Sequence, residues 1–187
     1  MTKPITLILF AAMVAAQLGV PAFMIVQREG TLQQGVAYKF RCAPVDPYDA
    51  FRGKYVALSL QTGGDLSWSG DPLRENQPIY VSLSVDTEGF AQVDSLSLTR
   101  PDFGDYVQAK VQWNTAGQTD VSLAFPFDRY YLEESKAPEA ERVYRESLRE
   151  AERSTYITVR IKSGFGVLEE LYINDTPVHE FLQRELQ

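Results

Sequence analysis

Three different spacings of apolar residues succeed one another along this chain, and each marks a different kind of element. The first is continuous: from Ile5 to Val26, 22 residues carry no charge and most are apolar. At 1.5 Å per residue a helix over this run reaches about 33 Å, enough to cross the roughly 30 Å hydrocarbon layer of a bilayer. The run predicts an N-terminal transmembrane anchor within residues 1–27, ahead of a β domain over 28–187. Gln17 and Pro21 fit such a span, because a neighbouring helix satisfies a polar side chain or a freed carbonyl.

The second spacing is strict alternation. Val81, Leu83 and Val85 alternate with Ser82 and Ser84, and Ile157, Val159 and Ile161 alternate with Thr158 and Arg160, the pattern of strands with one buried face. Tyr80–Leu98 overlays on Tyr156–Ile173 with a single gap at Glu88, which sets Tyr80 on Tyr156, Gly89-Phe90 on Gly164-Phe165 and Leu96 on Leu171. Alternating runs separated by a glycine predict a β-hairpin, used twice. Each follows a second shared element, Phe51–Val56 in the first case and Phe103–Val107 in the second. The expected fold is mainly β, two similar halves at about 36–98 and 99–175 forming a barrel or sandwich, with chance likeness between short hairpins as the competing reading.

The third spacing is helical and sits in the longer second half. Ala140, Val143, Tyr144, Ser147, Leu148 and Ala151 form a narrow stripe, and the other faces are charged. Pro138, Glu139 and Glu141 suit a first turn, while Arg149 and Arg153 suit the C-terminal end. This predicts one inserted helix over 137–153, lying on a sheet as a solvated cover.

Charge sets the orientation of the anchor. Lys3 precedes the run while Arg28 and Glu29 cancel after it, which favours a cytoplasmic N-terminus and an exported, extracytoplasmic domain at the inner membrane. A cleaved secretory signal peptide is the alternative, since Val14-Ala15-Ala16 resembles a small-residue cleavage site, but the apolar run continues past it to Val26. Setting Lys3 aside, 17 basic side chains face 25 acidic ones, a balance that argues against nucleic acid and against adhesion to anionic headgroups. Cys42 is the one cysteine, so an intrachain disulfide is excluded and the domain is held by packing, with Cys42 expected as a small buried hydrophobe.

The segment Pro44-Val45-Asp46-Pro47-Tyr48-Asp49-Ala50-Phe51-Arg52-Gly53-Lys54-Tyr55-Val56-Ala57-Leu58 resembles the signature of the membrane-anchored bacterial GDYXXLXY domain family. Gly53, Tyr55 and Leu58 match it, while Lys54 stands at the aspartate and Leu60 at the final tyrosine. The likeness extends to the glutamine-bearing span, the Phe127-Asp128-Arg129-Tyr130-Tyr131-Leu132-Glu133 segment before a variable helix, and the closing hairpin. It implies a membrane-anchored accessory partner of multi-span membrane proteins and brings no biochemical activity with it. Gly53 and Gly104 each follow a Pro/Asp-rich stretch and precede a strand, so each is expected at a sharp bend of the kind found in cradle-like β-barrels. Asp105, before Tyr106, is expected to accept backbone N–H bonds of that bend, which Lys54 cannot do.

Chemistry is sparse. Asp46, Asp49, Asp65 and Asp71 are oxygen ligands of the type calcium takes, but their spacing matches no calcium loop, and His179 is the one histidine. A membrane-bound Ser–Lys peptidase would need a serine just after the span, whereas Ser59 already lies in the motif strand and Lys54 has no evident partner. Asp46, Asp49 and Arg52 form the densest polar cluster, read either as an ion-paired loop or, with Tyr48 and Phe51 as anchors, as a candidate contact with another membrane protein. No catalytic residue, metal or cofactor is assigned. The expected function is a non-enzymatic accessory or assembly module for an integral membrane complex. The alternative is a domain that binds a small ligand or an envelope polymer, with Trp68, Tyr80 and Trp113 lining a cleft.

Overall fold

A computed structural model describes residues 3–43, 55–61, 63–64, 66–68, 70–114, 121–133, 135–149 and 154–185, and gives the backbone alone for Lys3, Tyr55, Ala57, Trp113, Asn114, Ala137, Arg149 and Glu185. Helix α1 (Lys3–Gln34) carries the apolar run and continues for two turns beyond it. Nothing between Gln27 and Gln34 interrupts the helix, and Gly35 ends it at once with its N–H on the Thr31 carbonyl at 2.8 Å. The side chains of Ile5–Val26 lie almost wholly exposed, so the domain does not cover this part of the helix.

The domain is mainly β. One sheet takes β1 (Val36–Ala43), β3 (Ser59–Gln61), β10 (Thr155–Lys162), β11 (Phe165–Ile173) and β12 (Thr176–Pro177) in the order β12-β11-β10-β1-β3. The other takes β4 (Gly63–Gly64), β5 (Pro78–Val85), β6 (Ala91–Ser97), β7 (Tyr106–Asn114) and β8 (Val121–Ala124) in the order β4-β6-β5-β7-β8. A separate ribbon pairs β2 (Tyr55–Ala57) with β9 (Arg129–Tyr131). Helix α2 (Ala137–Arg149) and helix α3 (Val178–Glu185) complete the fold.

Of the alternating residues read as inward-facing, Val81 and Leu83 from β5 and Ile157, Val159 and Ile161 from β10 are buried, whereas Val85 is 54% exposed at the last position of β5, beyond its pairing with β7; Ile79, at the other end of the strand, is buried in its place. Both hairpins slip register by one residue, β5/β6 between Ser82 and Leu83 and β10/β11 between Thr158 and Val159, which are facing positions in the overlay. The residue left over is acidic each time, Asp94 or Glu169. A bulge increases local twist, and the two sheets curl toward each other into a half-barrel.

Two parallel bridges join the sheets. Lys39 of β1 meets Phe90 beside the first hairpin turn, and Val107 of β7 meets Gly164 in the second. Strands β1 and β7 therefore have the same surroundings. Each pairs along one edge with the first strand of a hairpin, and along the other edge first with a hairpin tip and then with a short strand, β3 or β8.

Phe40 is fully buried between these layers, with its ring 5.2 Å from Phe127 and 6.1 Å from Phe125. The apolar stripe of α2 closes one side: Ala140, Val143, Tyr144 and Ser147 are buried, and Leu148 packs against the core. The Ser147 hydroxyl accepts from Thr155 at 2.8 Å, which ties the helix to β10. Cys42 is buried beside Tyr144, and burial pushes its thiol up to about 12. Phe40→Ala should therefore destabilise the domain by about 3–5 kcal/mol in chemical unfolding, the range for a buried aromatic whose cavity cannot collapse; a loss below about 1 kcal/mol would show that this ring is not central to the core.

Candidate functional site

The two segments that carry the family likeness, far apart in sequence, lie side by side. Tyr55, Val56 and Ala57 pair with Tyr131, Tyr130 and Arg129, and the Leu58 N–H donates to the Asp128 carbonyl at 2.8 Å. Val56 and Leu58 point inward and are buried, which anchors the ribbon to the core. Asp46, Tyr48, Asp49, Phe51 and Arg52, together with Gly53 and Lys54, lie outside the described residues, and the described chain resumes at Tyr55. Of the four candidate calcium ligands only Asp71 is described; among the described residues no three metal-binding side chains come together.

The second copy of the motif is fully visible. Gly104 has φ +80°, the left-handed region a residue with a Cβ enters only at a cost, so its bend is a backbone requirement. Nothing lies within 4 Å of the place a Cβ would take, which leaves conformation as the whole reason for glycine here. The Asp105 carboxylate accepts from the Tyr38 hydroxyl at 2.8 Å, so it serves a bond between strands in place of the local N–H cap that the sequence suggested. Burial, with help from that carboxylate, pushes the Tyr38 phenol up to about 12. Tyr106 is buried against Gly164, where a Cβ would meet its ring at 2.4 Å.

Beside the ribbon, α1 leaves the domain. Thr31 is buried, Lys162 donates to the Gln34 side chain at 2.6 Å, and Arg160 reaches the Gly35 carbonyl at 3.4 Å while pairing with Glu169. A hollow of about 240 Å³ opens there, lined by Arg28 of α1, by Asp128, Arg129 and Tyr131 of the Phe127–Glu133 segment, and by Phe165–Leu168 of β11. Tyr131 is 63% exposed and Phe165 39%, high values for large rings on a domain surface. Phe103 is 91% exposed and stands two residues before Asp105, the partner of Tyr38 in β1.

Two further arrangements were hidden in the sequence. Tyr130 donates to the Glu170 carboxylate, which also accepts the Leu171 N–H at 2.9 Å and lies 3.3 Å from the His179 ring. Burial and that carboxylate hold the Tyr130 phenol well above its ordinary range, so the cluster clamps β9, β11 and α3 together with the phenol protonated. A larger, mostly apolar hollow of about 520 Å³ lies between β7, the β8–β9 connection and the second hairpin tip, lined by residues that include Pro78, Ala109, Phe125, Pro126 and Phe165. Trp68 and Tyr80 line neither hollow: the Trp68 indole donates to the Asp71 carbonyl, and the Tyr80 ring packs edge-on against Tyr106 at 5.7 Å. Ser59 is half-buried in β3.

Gly104→Ala should cost about 1–2 kcal/mol from the left-handed backbone alone, measured by chemical unfolding, and a neutral result would mean the bend relaxes freely. Tyr38 and Tyr156 are both pushed up to about 12 by burial, Tyr156 also by its bond to Asp175. An unfolded phenol ionises near 10, so above pH 10 the unfolded chain sheds protons that the folded one keeps, and stability should fall from about pH 10 to about pH 12. Tyr38→Phe should flatten that fall in thermal midpoints taken across this window, and an unchanged slope would remove Tyr38 from the account.

The family profile described as GDYXXLXY protein matches residues 17–171, which include the second half of the apolar run, the ribbon, the first hairpin and nearly all of the second. No curated protein and no solved structure matches the chain.

Proposed function

We propose that this chain, which belongs to the GDYXXLXY protein family, is a non-enzymatic accessory or assembly module that presents a rigidly held β domain to an integral membrane partner. In this reading α1 is an uncleaved single-pass signal anchor in the inner membrane, and the β domain is extracytoplasmic. The observation that carries it is the junction. Helix α1 runs unbroken from the apolar segment to the wall of the domain, where Thr31 is buried and Gln34 and Gly35 are bonded to β10. A catalytic or tethered domain gains nothing from such stiffness, whereas a contact surface that must meet a membrane partner at one height and angle depends on it. The family ribbon lies on the same side as the helix exit, beside Arg28, within reach of whatever spans the membrane next to α1.

The experiment breaks the stiffness ahead of the contacts at Thr31, Gln34 and Gly35. Inserting Gly-Ser-Gly-Ser between Val26 and Gln27 should leave the chain in the membrane fraction and the thermal midpoint of the domain unchanged. Recovery of a stoichiometric multi-span partner in mild detergent should drop severalfold. Equal recovery with and without the insert would overturn rigid presentation.

A second reading has its own support. The 520 Å³ apolar hollow has the size and lining of a small-ligand site and favours a binding domain for an apolar or amphipathic molecule. We also read the two halves as copies of one unit, supported by register slips at matching positions, by Gly89 and Gly164 with φ of +86° and +84°, and by the like surroundings of β1 and β7.

A further inference from the structure

The hollow at the exit of α1 is lined by charges of both signs and by exposed rings. Arg28 lies one turn before buried Thr31 on the side of α1 that faces the domain, and it has no ion-pair or hydrogen-bond partner among the described residues. Opposite it stands Asp128, whose carboxylate is half-exposed and 3.6 Å from Arg129. Tyr131 and Phe165 form the rim.

If Ile5–Val26 crosses a bilayer, Arg28 falls two residues, about 3 Å, past the edge of the hydrocarbon. That is inside the headgroup layer, which is about 5–7 Å deep on each side. Partly exposed aromatic rings at that depth sit where tyrosine and tryptophan belts form. A guanidinium there faces phosphates, whose oxygens match its paired N–H donors. A carboxylate there is costly unless a cation reaches it, and Arg129, at 3.6 Å, stands beyond hydrogen-bond distance and leaves Asp128 open to a closer one. An anionic headgroup would bring Asp128 only repulsion, and it would approach a domain whose charge is already strongly negative. A headgroup that carries a phosphate and a primary ammonium satisfies both sides.

We propose that this hollow seats the headgroup of one phospholipid of the phosphatidylethanolamine type, with Arg28 on the phosphate, Asp128 on the ammonium, and Tyr131 and Phe165 in the interface beside its glycerol. The lipid would fill the space between anchor and domain and complete the contact that sets the domain's height. This rests on the reading of α1 as a membrane span.

The test uses the full chain reconstituted in vesicles of equal phosphatidylethanolamine and phosphatidylglycerol, then released in mild detergent for native mass spectrometry. The wild type should keep one phosphatidylethanolamine in severalfold preference. Arg28→Gln should lose most of it and Arg28→Lys should keep a good part, while Asp128→Asn should shift the retained lipid toward phosphatidylglycerol. Thermal midpoints close to that of the wild type would exclude misfolding as the cause. Lipid retained in the same amount and proportion by the wild type, Arg28→Gln and Asp128→Asn would overturn the seat. Flotation of the same samples separates the two readings: a chain that floats with the vesicles but keeps no lipid sinks the headgroup seat alone, and a chain that fails to float sinks the membrane span with it.

Discussion

Gly35 is the point on which the molecule turns. A Cβ at this position would lie 2.5 Å from the Thr31 carbonyl and 3.1 Å from both the N and the O of Ile161, so the chain passes against the backbone of β10 with no room for a side chain. That contact stops the helix, starts β1 and fixes the register of Val36 against Ile161 within one residue. Once β1 is in register, its inward residues Tyr38, Phe40 and Cys42 are assigned to the core and the rest of the sheet follows. The placement of the apolar helix and the closure of the β layers thus depend on the same few atoms.

The middle strands carry a second constraint. Lys39 meets Phe90 and Val107 meets Gly164, so each of β1 and β7 spends part of one edge on the opposite sheet. Strand edges left unpaired are sites of aggregation, and this sharing leaves little of either strand free. Side chains reinforce the joints. Arg41 pairs with Asp86 and Glu88 and stacks 3.8 Å over the Phe90 ring, while the Tyr38–Asp105 bond ties β1 to the bend before β7. The Arg41 guanidinium and the turn's own N–H groups hold the Asp86 carboxyl below its ordinary range, so this joint weakens as pH falls and the carboxylate protonates.

What could be read from the letters follows from how local each signal is. The helix within the apolar run, the hairpins at Tyr80 and Tyr156 and the buried stripe of α2 were legible because each repeats one contact every two or every three to four residues. Hydropathy marks where lipid ends, not where a helix ends, so the two turns after Val26 were invisible until Gly35 was seen against β10. The ribbon of β2 and β9 has only three residues a side, too short for a period, and its partners lie far apart along the chain. The likeness around Gly53–Leu58 and Phe127–Glu133 named both segments without showing that they touch. Asp105 was read as a local cap because local bonds are all that sequence spacing can suggest, and its partner Tyr38 comes from another strand.

The pairing of β1 with β10 also sets an order of events. Phe40 lies opposite Ile157, so the strand made just after α1 has no long partner until the last hairpin has been synthesised. Contacts so distant along the chain pay their loop-closure entropy late and fold slowly. The early part of the domain must then wait with Tyr38, Phe40 and Cys42 uncovered. A nascent chain cut short before β10 would lack a closing strand for the first sheet, which makes the segment from Thr155 onward the step that commits the whole domain to its fold.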